Sequence, residues 1–357
     1  MLQGKPQKIL VGMSGGVDSS VSAALLVEQG YQVEGVFMKV WSDDDANNAL
    51  VECPWERELS DAQAVANQLE IPLHIRNVQR EYFDRVVSEL KAGYARGETP
   101  NPDILCNAEI KFGILFDWAM EQGFDAVATG HYAQVLNSEL RTSADDWKDQ
   151  TYFLWRVPKE RFAKILFPIG HFTKSQVRDE ARRLNLPNAE KPDSQGICFL
   201  GKVDVRNWLK RELQTVPGKI QNQAGDVIGT HEGAELFTIG QRHGVGNPGG
   251  TEPLFVRERN LSTNTVTVAP RAALESTELT IHSTNWLVDA PESVLQADGI
   301  EARIRHQGER LPCQVETSFV NDGEFHVHLE KSAFGVAPGQ SVVLYRDSTV
   351  IGGGVIA

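Results

Sequence analysis

The segment GMSGGVDSS at residues 12–20 has the residue types of an anion-binding loop. Gly15 and Gly16 lack a Cβ, so their backbone N–H groups can approach an anion closely. A helix that begins near Ser19 would point the positive end of its dipole at the same place. We therefore expect a phosphate cradle, formed by Gly12, Met13, Ser14, Gly15, Gly16, Val17, Asp18 and Ser19. The alternative is a tight turn between a strand and a helix that binds nothing.

A different nucleotide-binding loop, in which Gly-Lys is followed by Ser or Thr, is excluded. The Gly-Lys pairs of this chain begin at Gly4, Gly201 and Gly218, and none of them continues into Ser or Thr. Residues 12–20 therefore carry the only phosphate-loop signal that we find in the sequence.

Two of the four cysteines lie in segments that suit thiol chemistry. Cys106 in TPNPDILCN is at the start of a predicted helix, where the helix dipole lowers the pKa of a thiol. Cys198 lies between glycines in GICFLG, which favours a mobile loop, and only the fold can bring these two residues together. The alternative for an isolated cysteine is a small buried hydrophobic residue. We expect that role for Cys53, in an acidic loop, and for Cys313, in an alternating strand.

The first third of the chain alternates between short apolar runs and segments with helical spacing. We predict strands at 8–12, 33–41, 73–78 and 125–129, with helices between them, including 81–96 and 108–122. This order predicts an α/β fold with a doubly wound parallel sheet and helices on both faces. Ligands of such sheets bind at the carboxyl ends of the strands, where residues 12–20 lie.

Helical spacing disappears after about residue 215, where Gly-rich turns and short alternating runs begin. Regular short strands predict a small β-rich central domain followed by a C-terminal β-barrel. We place the domain boundaries at 1–215 for the catalytic domain, 216–275 for the central domain and 276–357 for the barrel.

The chain of 357 residues has a net charge of −13, which argues against a nucleic-acid partner when it is taken as a whole. The charge is uneven, because residues 151–220 carry 14 Lys or Arg and 7 Asp or Glu, a net charge of +7. One basic segment can still bind a polyanion locally, or it can be a solvated helical face. No transmembrane segment or signal peptide is apparent, and the cysteines form no CxxC pair, so we expect a cytoplasmic protein without a disulfide scaffold or zinc site.

Residues 12–20 resemble the PP-loop of the N-type ATP pyrophosphatases, which cleave ATP between the α- and β-phosphates and activate an oxygen as an adenylate. The whole chain resembles the tRNA-specific 2-thiouridylases. The similarity is carried by SGGVDSSV, FMKVW, TPNPDILCN, ATGHYA, KDQTYFLW, LFPIG, DSQGICFLG, FTIGQR and APGQSVVLY, from residue 12 to beyond residue 340.

The resemblance implies a reaction. ATP, with Mg²⁺, adenylates the oxygen on carbon 2 of the wobble uridine (position 34) of tRNA, and AMP and pyrophosphate are released. A persulfide on Cys198 supplies the sulfur, and Cys106 releases it by forming a disulfide with Cys198, or frees hydrosulfide that attacks instead. Asp103 is implied as an acid or base, although the residue type also suits a helix N-terminus. The implied partners are tRNAs of the Lys, Glu and Gln type and a sulfur-relay or cysteine-desulfurase protein.

The resemblance also implies the contacts with substrates. Met38 and Gly130 match adenine-pocket positions, and Asn101, Pro102 and Asp103 match the segment that touches the target base, which has to be turned out of the RNA. The residues implied in tRNA binding are His131, Lys148, Asp149, Gln150, Arg305, His306 and Gln340. The acidic segment SADDW at 143–147 departs from this picture, since carboxylates beside an RNA surface repel phosphates. A disordered loop that faces away from the RNA would explain it.

Three alternatives remain open at this point. The first is another synthetase on the same nucleotide fold, which would need an amino-acid or glutaminase site. The second is an RNA-binding protein without catalysis, which would bind tRNA and consume no ATP. The third is an iron–sulfur cluster held by Asp103, Cys106 and Cys198 that carries the sulfur, which we do not favour because only two thiols are candidates.

Overall fold

The computed structural model describes residues 7–40, 55–192, 205–245, 252–296, 298–317 and 323–357. Its first sheet is parallel throughout, with strand order β3-β2-β1-β4-β7. The strands are β1 (Lys8–Gly12), β2 (Gln32–Lys39), β3 (Leu73–Asn77), β4 (Ala126–Ala128) and, after a hairpin of β5 (Gln134–Leu136) and β6 (Glu139–Arg141), β7 (Ile165–Leu166). The central strand is an apolar run because both of its faces are covered by helices.

Helices cover the two faces of this sheet and form two separate cores. They are α1 (Val17–Glu28), α2 (Trp55–Gln68), α3 (Gln79–Tyr82), α4 (Ser88–Arg96), α5 (Pro102–Leu105), α6 (Leu115–Glu121) and α7 (Lys174–Arg183). Leu10 faces the core that contains Tyr82 and Phe112, whereas Ile9 and Val11 face the core formed with α1, α2 and α7. The predicted doubly wound α/β arrangement is therefore confirmed.

One helix begins earlier than the sequence indicates. We predicted a helix over 108–122, but α5 begins at Pro102 and continues through a π-helical segment, Cys106–Ile114, into α6. The side chain of Asn101 accepts hydrogen bonds from the N–H groups of Asp103 at 3.0 Å and Ile104 at 3.3 Å. This N-cap, with proline in the first turn, is what starts the helix. Cys106 consequently lies inside the continuous helix and not at its start.

The central region forms a four-stranded sheet with the order β10-β11-β8-β9. Its elements are α8 (Val205–Glu212), β8 (Gly218–Gln221), β9 (Val227–His231), β10 (Leu254–Asn260) and β11 (Thr265–Pro270). Leu209 of the helix belongs to the same small core as Ile220, Phe237 and Val256.

The last region is a closed barrel of six antiparallel strands. These are β12 (Glu275–Trp286), β13 (Ile300–Arg303), β14 (Leu311–Thr317), β15 (Phe325–Phe334), β16 (Ser341–Arg346) and β17 (Thr349–Ile356), with α9 (Pro291–Leu295) after the first strand. Pairing of β12 with β17 closes the barrel. The hairpin β5–β6 joins it as well, because Arg141 pairs with Thr349. The barrel sheet thereby includes a hairpin that lies between β4 and β7 in the chain.

Candidate nucleotide and RNA site

The segment between β1 and α1 is a glycine-rich loop in which one position accepts only glycine. Gly15 has φ +76°, and a Cβ there would lie 2.2 Å from the carbonyl oxygen of Glu58. The backbone N–H of Met13 donates to the carbonyl of Val36 at 2.8 Å, which fixes the start of the loop to β2. The loop therefore lies at the carboxyl edge of the sheet, as we expected.

The N-terminus of α1 faces this loop and is surrounded by hydroxyl groups. Gly16 is the N-cap residue and has no side chain to accept the N–H groups of the first turn. Its own N–H donates to the Ser14 hydroxyl at 3.3 Å, and the hydroxyls of Ser14 and Ser19 lie 3.2 Å apart. Donors of the first turn and neighbouring hydroxyls make this an anion-binding arrangement.

Asp18 is the acidic group of the site, and two partners hold it. Its Oδ1 accepts the hydroxyl of Tyr132 at 2.9 Å and the ammonium of Lys174 at 2.7 Å. Lys174 was not predicted from the sequence; it is 156 residues away in the chain and lies in the first turn of α7. No spacing signal connects the two residues, so only the fold reveals the pair.

Gly130 and Met38, the predicted adenine-pocket positions, lie after β4 and inside β2. A Cβ on Gly130 would lie 2.6 Å from the backbone nitrogen of Ser19, so α1 approaches the end of β4 as closely as glycine allows. Met38 is buried in the core that includes Leu10 and Val36. Both residues are at the edge where the phosphate loop lies.

His131 follows Gly130 and is buried between aromatic rings. Its ring lies 5.8 Å from those of Phe112 and Phe167, and Nδ1 is 2.7 Å from the Thr129 hydroxyl. Burial, followed by the nearby Lys111, holds the pKa of His131 well below its usual range. The imidazole is therefore neutral, and its place in the core suits support of the strand end better than contact with RNA.

The predicted target-base segment lies at the beginning of α5. Asn101 is the N-cap residue, Pro102 takes the first position, and Asp103 and Cys106 lie three residues apart, on one face of the helix. Cys106 is 1 % exposed and belongs to the core that also contains Leu105 and Tyr152. Cys53 and Cys198 lie outside the described residues, so the pairing of Cys106 with Cys198 stays a prediction.

Three further residues were predicted to contact tRNA: Lys148, Asp149 and Gln150. They do not all face solvent. Asp149 is 3 % exposed and accepts the N–H of Ser143 at 2.9 Å and the Thr151 hydroxyl at 2.5 Å, and burial raises the pKa of its carboxyl. Gln150 accepts the N–H of Tyr132 at 2.9 Å. These two side chains brace the segment, whereas Lys148 is only half-buried.

The acidic segment 143–147 is folded, which corrects the explanation that it is disordered. Asp145 accepts the backbone N–H groups of Trp147 and Lys148, each at 3.1 Å, and that of Lys174 at 2.9 Å. The carboxylate of Asp145 is therefore used within the protein, at the N-terminus of α7, where the helix dipole favours an anion.

The barrel brings its predicted RNA residues to the beginning of α5. The ring of His306 lies 4.4 Å from that of Phe153. Burial lowers the pKa of His306, Arg303 adds to this, and the negative charge of Asp103 opposes it, which places the imidazole near that carboxylate. Arg305 is exposed and donates to the carbonyls of Phe334 and Gly335. Gln340 is half-buried, and its carbonyl accepts the N–H of Ile356 at 2.8 Å.

The basic helix α7 carries less free charge than its composition indicates. Arg183 pairs with Glu28 at 2.6 Å and Glu180 at 2.8 Å, and Arg182 pairs with Glu190 at 2.8 Å. Paired cations attract a polyanion less than free ones, because the carboxylates cancel their field. The structure thus favours the alternative that this helix is a solvated face.

The described residues show neither a metal cluster nor a membrane-spanning helix. They contain no group of three or more His, Cys, Asp or Glu side chains arranged to hold a metal ion. No helix among them is long and apolar enough to cross a membrane.

Three family models match the chain in succession. They are the tRNA methyl transferase HUP domain at residues 7–202, the tRNA methyl transferase PRC-barrel domain at 206–270 and the aminomethyltransferase beta-barrel domain at 276–356. Curated relatives match nearly end to end. The tRNA-specific 2-thiouridylase MnmA of Methylobacillus flagellatus is 41 % identical over 361 residues, covering 98 % of each chain. The protein of the same name from Acinetobacter baumannii strain SDF is 44 % identical over 372 residues, covering 98 % of this chain and 97 % of the relative.

A solved structure, a 4-thiouridine synthetase–RNA complex with bound ATP, is a distant neighbour. It aligns with a TM-score of 0.37 at 16 % identity, over 58 % of this chain and 50 % of that one. This likeness is too low to carry an argument about function.

Proposed function

Because this chain belongs to the tRNA-specific 2-thiouridylase family, we propose that it replaces the oxygen on carbon 2 of a tRNA uridine by sulfur, at the expense of ATP. The uridine is the wobble base, and the products are 2-thiouridine, AMP and pyrophosphate. The observation that carries the proposal is the match of two relatives above 40 % identity over nearly the whole chain.

ATP binds with its phosphates at the loop between β1 and α1. The N–H groups of Gly16 and of the first turn of α1 donate to the phosphates, and the ammonium of Lys174, 2.7 Å from Asp18, offsets the negative charge of that carboxylate beside them. Mg²⁺ neutralises charge on the pyrophosphate when it is bound, and the Asp18 carboxylate is the acidic group that fits beside it. Adenine lies toward Met38 and Gly130.

The target uridine is held at the beginning of α5. Asn101, Pro102 and Asp103 form its contact segment, and Asp103 exchanges a proton with the base. His306, whose ring lies 4.4 Å from that of Phe153, is close enough to Asp103 for the carboxylate to oppose the lowering of its pKa. The uracil oxygen on carbon 2 attacks the α-phosphorus of ATP, pyrophosphate leaves, and that oxygen later departs with AMP.

Sulfur reaches carbon 2 from a persulfide on Cys198. The terminal sulfur attacks carbon 2 and displaces AMP, and the Cys106 thiolate then attacks the Cys198 sulfur, breaking the bond to the transferred sulfur and forming a Cys106–Cys198 disulfide. The two thiols supply the two electrons that reduce the sulfane sulfur, and two external thiol groups then reduce the disulfide. A desulfurase or relay protein loads the persulfide, and tRNAs of the Lys, Glu and Gln type are the substrates.

We assign a different role to each of the three regions. Residues 1–215 contain the catalytic domain, 216–275 form the central domain, whose core also includes Leu209 of α8, and 276–357 form the barrel, which contributes Arg305, His306 and Gln340 to the RNA surface. This surface consists of Lys148 and these three barrel residues, since the arginines of α7 are paired with carboxylates.

The identity of the nucleotide product tests this proposal. Labelled ATP is incubated with the protein in the presence and absence of unmodified tRNA. We expect AMP and pyrophosphate, formed only with tRNA. ADP and phosphate as products, or tRNA binding without any turnover of ATP, would contradict it. Release of AMP that depends on a small carboxylate instead of tRNA would favour an amino-acid synthetase. An absorption spectrum of anaerobically purified protein tests the iron–sulfur alternative.

A further inference from the structure

The carbonyl group of Gly15 accepts hydrogen bonds from two side chains that enter from a distant part of the chain. Asn188 Nδ2 lies 2.9 Å and Lys191 Nζ 3.1 Å from the Gly15 oxygen. Asn188 is 6 % exposed, and its amide also donates to the Ser20 hydroxyl at 2.9 Å. Nothing in the proposed chemistry uses either residue.

These contacts fix the direction of the next N–H group. The oxygen of Gly15 and the hydrogen of Gly16 belong to one planar trans peptide, so they point in opposite directions. Asn188 and Lys191 hold the oxygen on the inner side of the loop, and the Gly16 N–H consequently faces the exposed Ser14, whose hydroxyl accepts it at 3.3 Å. A bond of that length is weak, so an anion with more charge can replace the hydroxyl as acceptor.

Lys191 also faces two carboxylates directly behind the loop. Its Nζ lies 2.7 Å from Glu58 and 2.5 Å from Asp61. A Cβ on Gly15 would lie 3.0 Å from a carboxylate oxygen of Glu58, so this negative charge is in contact with the loop. Without the ammonium group, two carboxylates would face a loop that has to bind a polyanion.

We infer that Asn188 and Lys191 are positioning residues that turn the Gly16 N–H toward the pyrophosphate of ATP. In this role both residues act through the Gly15 peptide group, whose oxygen they bind. Rotation of this peptide would remove one donor from the phosphate site and present a carbonyl oxygen to the phosphates instead. This inference rests on the proposed function, since it takes ATP as the ligand of the loop.

Binding of ATP, inorganic pyrophosphate and adenosine separates this role from a general loss of structure. The variants are Lys191→Met, Lys191→Arg and Asn188→Ala, and the matched control is Lys8→Met. Lys8 pairs with Glu34 at 3.2 Å at the opposite end of β1, so its removal breaks an ion pair in the same sheet without touching the loop. Calorimetric titration gives each dissociation constant, and thermal unfolding reports folding.

We expect Lys191→Met and Asn188→Ala to weaken ATP and pyrophosphate binding roughly tenfold or more. This is the effect of losing the charge-assisted hydrogen bond from the Gly16 N–H to a phosphate. Adenosine affinity should not change, Lys191→Arg should recover most of the loss, and Lys8→Met should resemble the wild type. Equal losses for ATP and adenosine would show a structural role and overturn the inference.

A triple variant separates orientation from charge. In Lys191→Met/Glu58→Gln/Asp61→Asn the repulsive carboxylates are gone, but the peptide still lacks its lysine donor. We expect incomplete recovery of ATP affinity, and full recovery would overturn the positioning role of Lys191. If the variants bind ATP as the wild type does, the inference alone fails. If the wild type binds no ATP, the proposed function fails together with it.

Discussion

Replacement of Gly130 by alanine tests whether the close approach of β4 to α1 determines the position of the α1 N-terminus in the nucleotide site. The new Cβ would lie 2.6 Å from the nitrogen of Ser19 and 2.7 Å from the carbonyl carbon of Asp18. Ordinary van der Waals contact begins at 3.4 Å, so the two backbones have to separate by about 0.8 Å. Both neighbours are backbone atoms, which cannot rotate out of the way as a side chain can.

The expected loss of stability follows from this clash. Overpacking of a well-packed interior costs about 1–3 kcal/mol, which urea unfolding measures as a lower free energy of unfolding. The displaced N-terminus of α1 also loses its alignment with the phosphates of ATP. A loss of roughly 1.5–3 kcal/mol for a hydrogen bond to a charged group corresponds to a dissociation constant about tenfold to a hundredfold higher.

The control for Gly130→Ala is Gly229→Ala in β9 of the central sheet. A Cβ there would have Ile220 as its nearest neighbour, at 3.6 Å, which is ordinary contact. We expect this variant to bind ATP normally. If Gly130→Ala unfolds at the wild-type urea concentration and binds ATP with wild-type affinity, the reasoning about this close approach is refuted.

Three further predictions concern side chains of the site. Lys174→Met should raise the KM for ATP in pyrophosphate release about tenfold, since a charge-assisted contact is lost, and an unchanged KM would contradict its role. Cys106→Ser should abolish thiolation, whereas Cys313→Ser should retain it, because burial raises the pKa of the Cys313 thiol to about 12; nucleoside analysis compares them, and a fully active Cys106→Ser would be decisive against the two-thiol step. The folded state keeps His131 neutral while the unfolded chain takes up a proton near pH 6.5, so stability should fall as the pH drops below that value. His131→Phe should reduce the slope of the free energy of unfolding against pH by up to about 1.4 kcal/mol per pH unit. The same slope in the wild type and the variant would contradict this prediction.

The sequence was sufficient to predict elements whose signal lies in consecutive residues. The strand at 8–12 was predicted with its observed limits, since an apolar run buried on both faces is bounded by the glycine loop. The helix at Cys106 was predicted six residues too short, because Asn-Pro-Asp is typical of a turn as well as of an N-cap. The hydrogen bonds that the Asn101 side chain accepts show that it is an N-cap, and these bonds are visible only in three dimensions.

Relations between distant residues could not be predicted. Lys174 and Asp18 are 156 residues apart, and Asn188 lies 173 residues beyond Gly15. The hairpin that joins the barrel consists of two three-residue strands, too short for a periodic signal. The roles of Cys106 and Cys198 came from a family resemblance and stay a prediction.

Analysis of the nucleosides in tRNA tests the central claim most directly. Unmodified tRNA is incubated with the protein, ATP and a persulfide donor, digested, and examined by mass spectrometry. We predict 2-thiouridine at the wobble position, formed only when ATP is present and absent with Cys106→Ser. Wild-type protein that binds tRNA and hydrolyses ATP but leaves the wobble uridine without sulfur, or that places sulfur on carbon 4, would contradict the account.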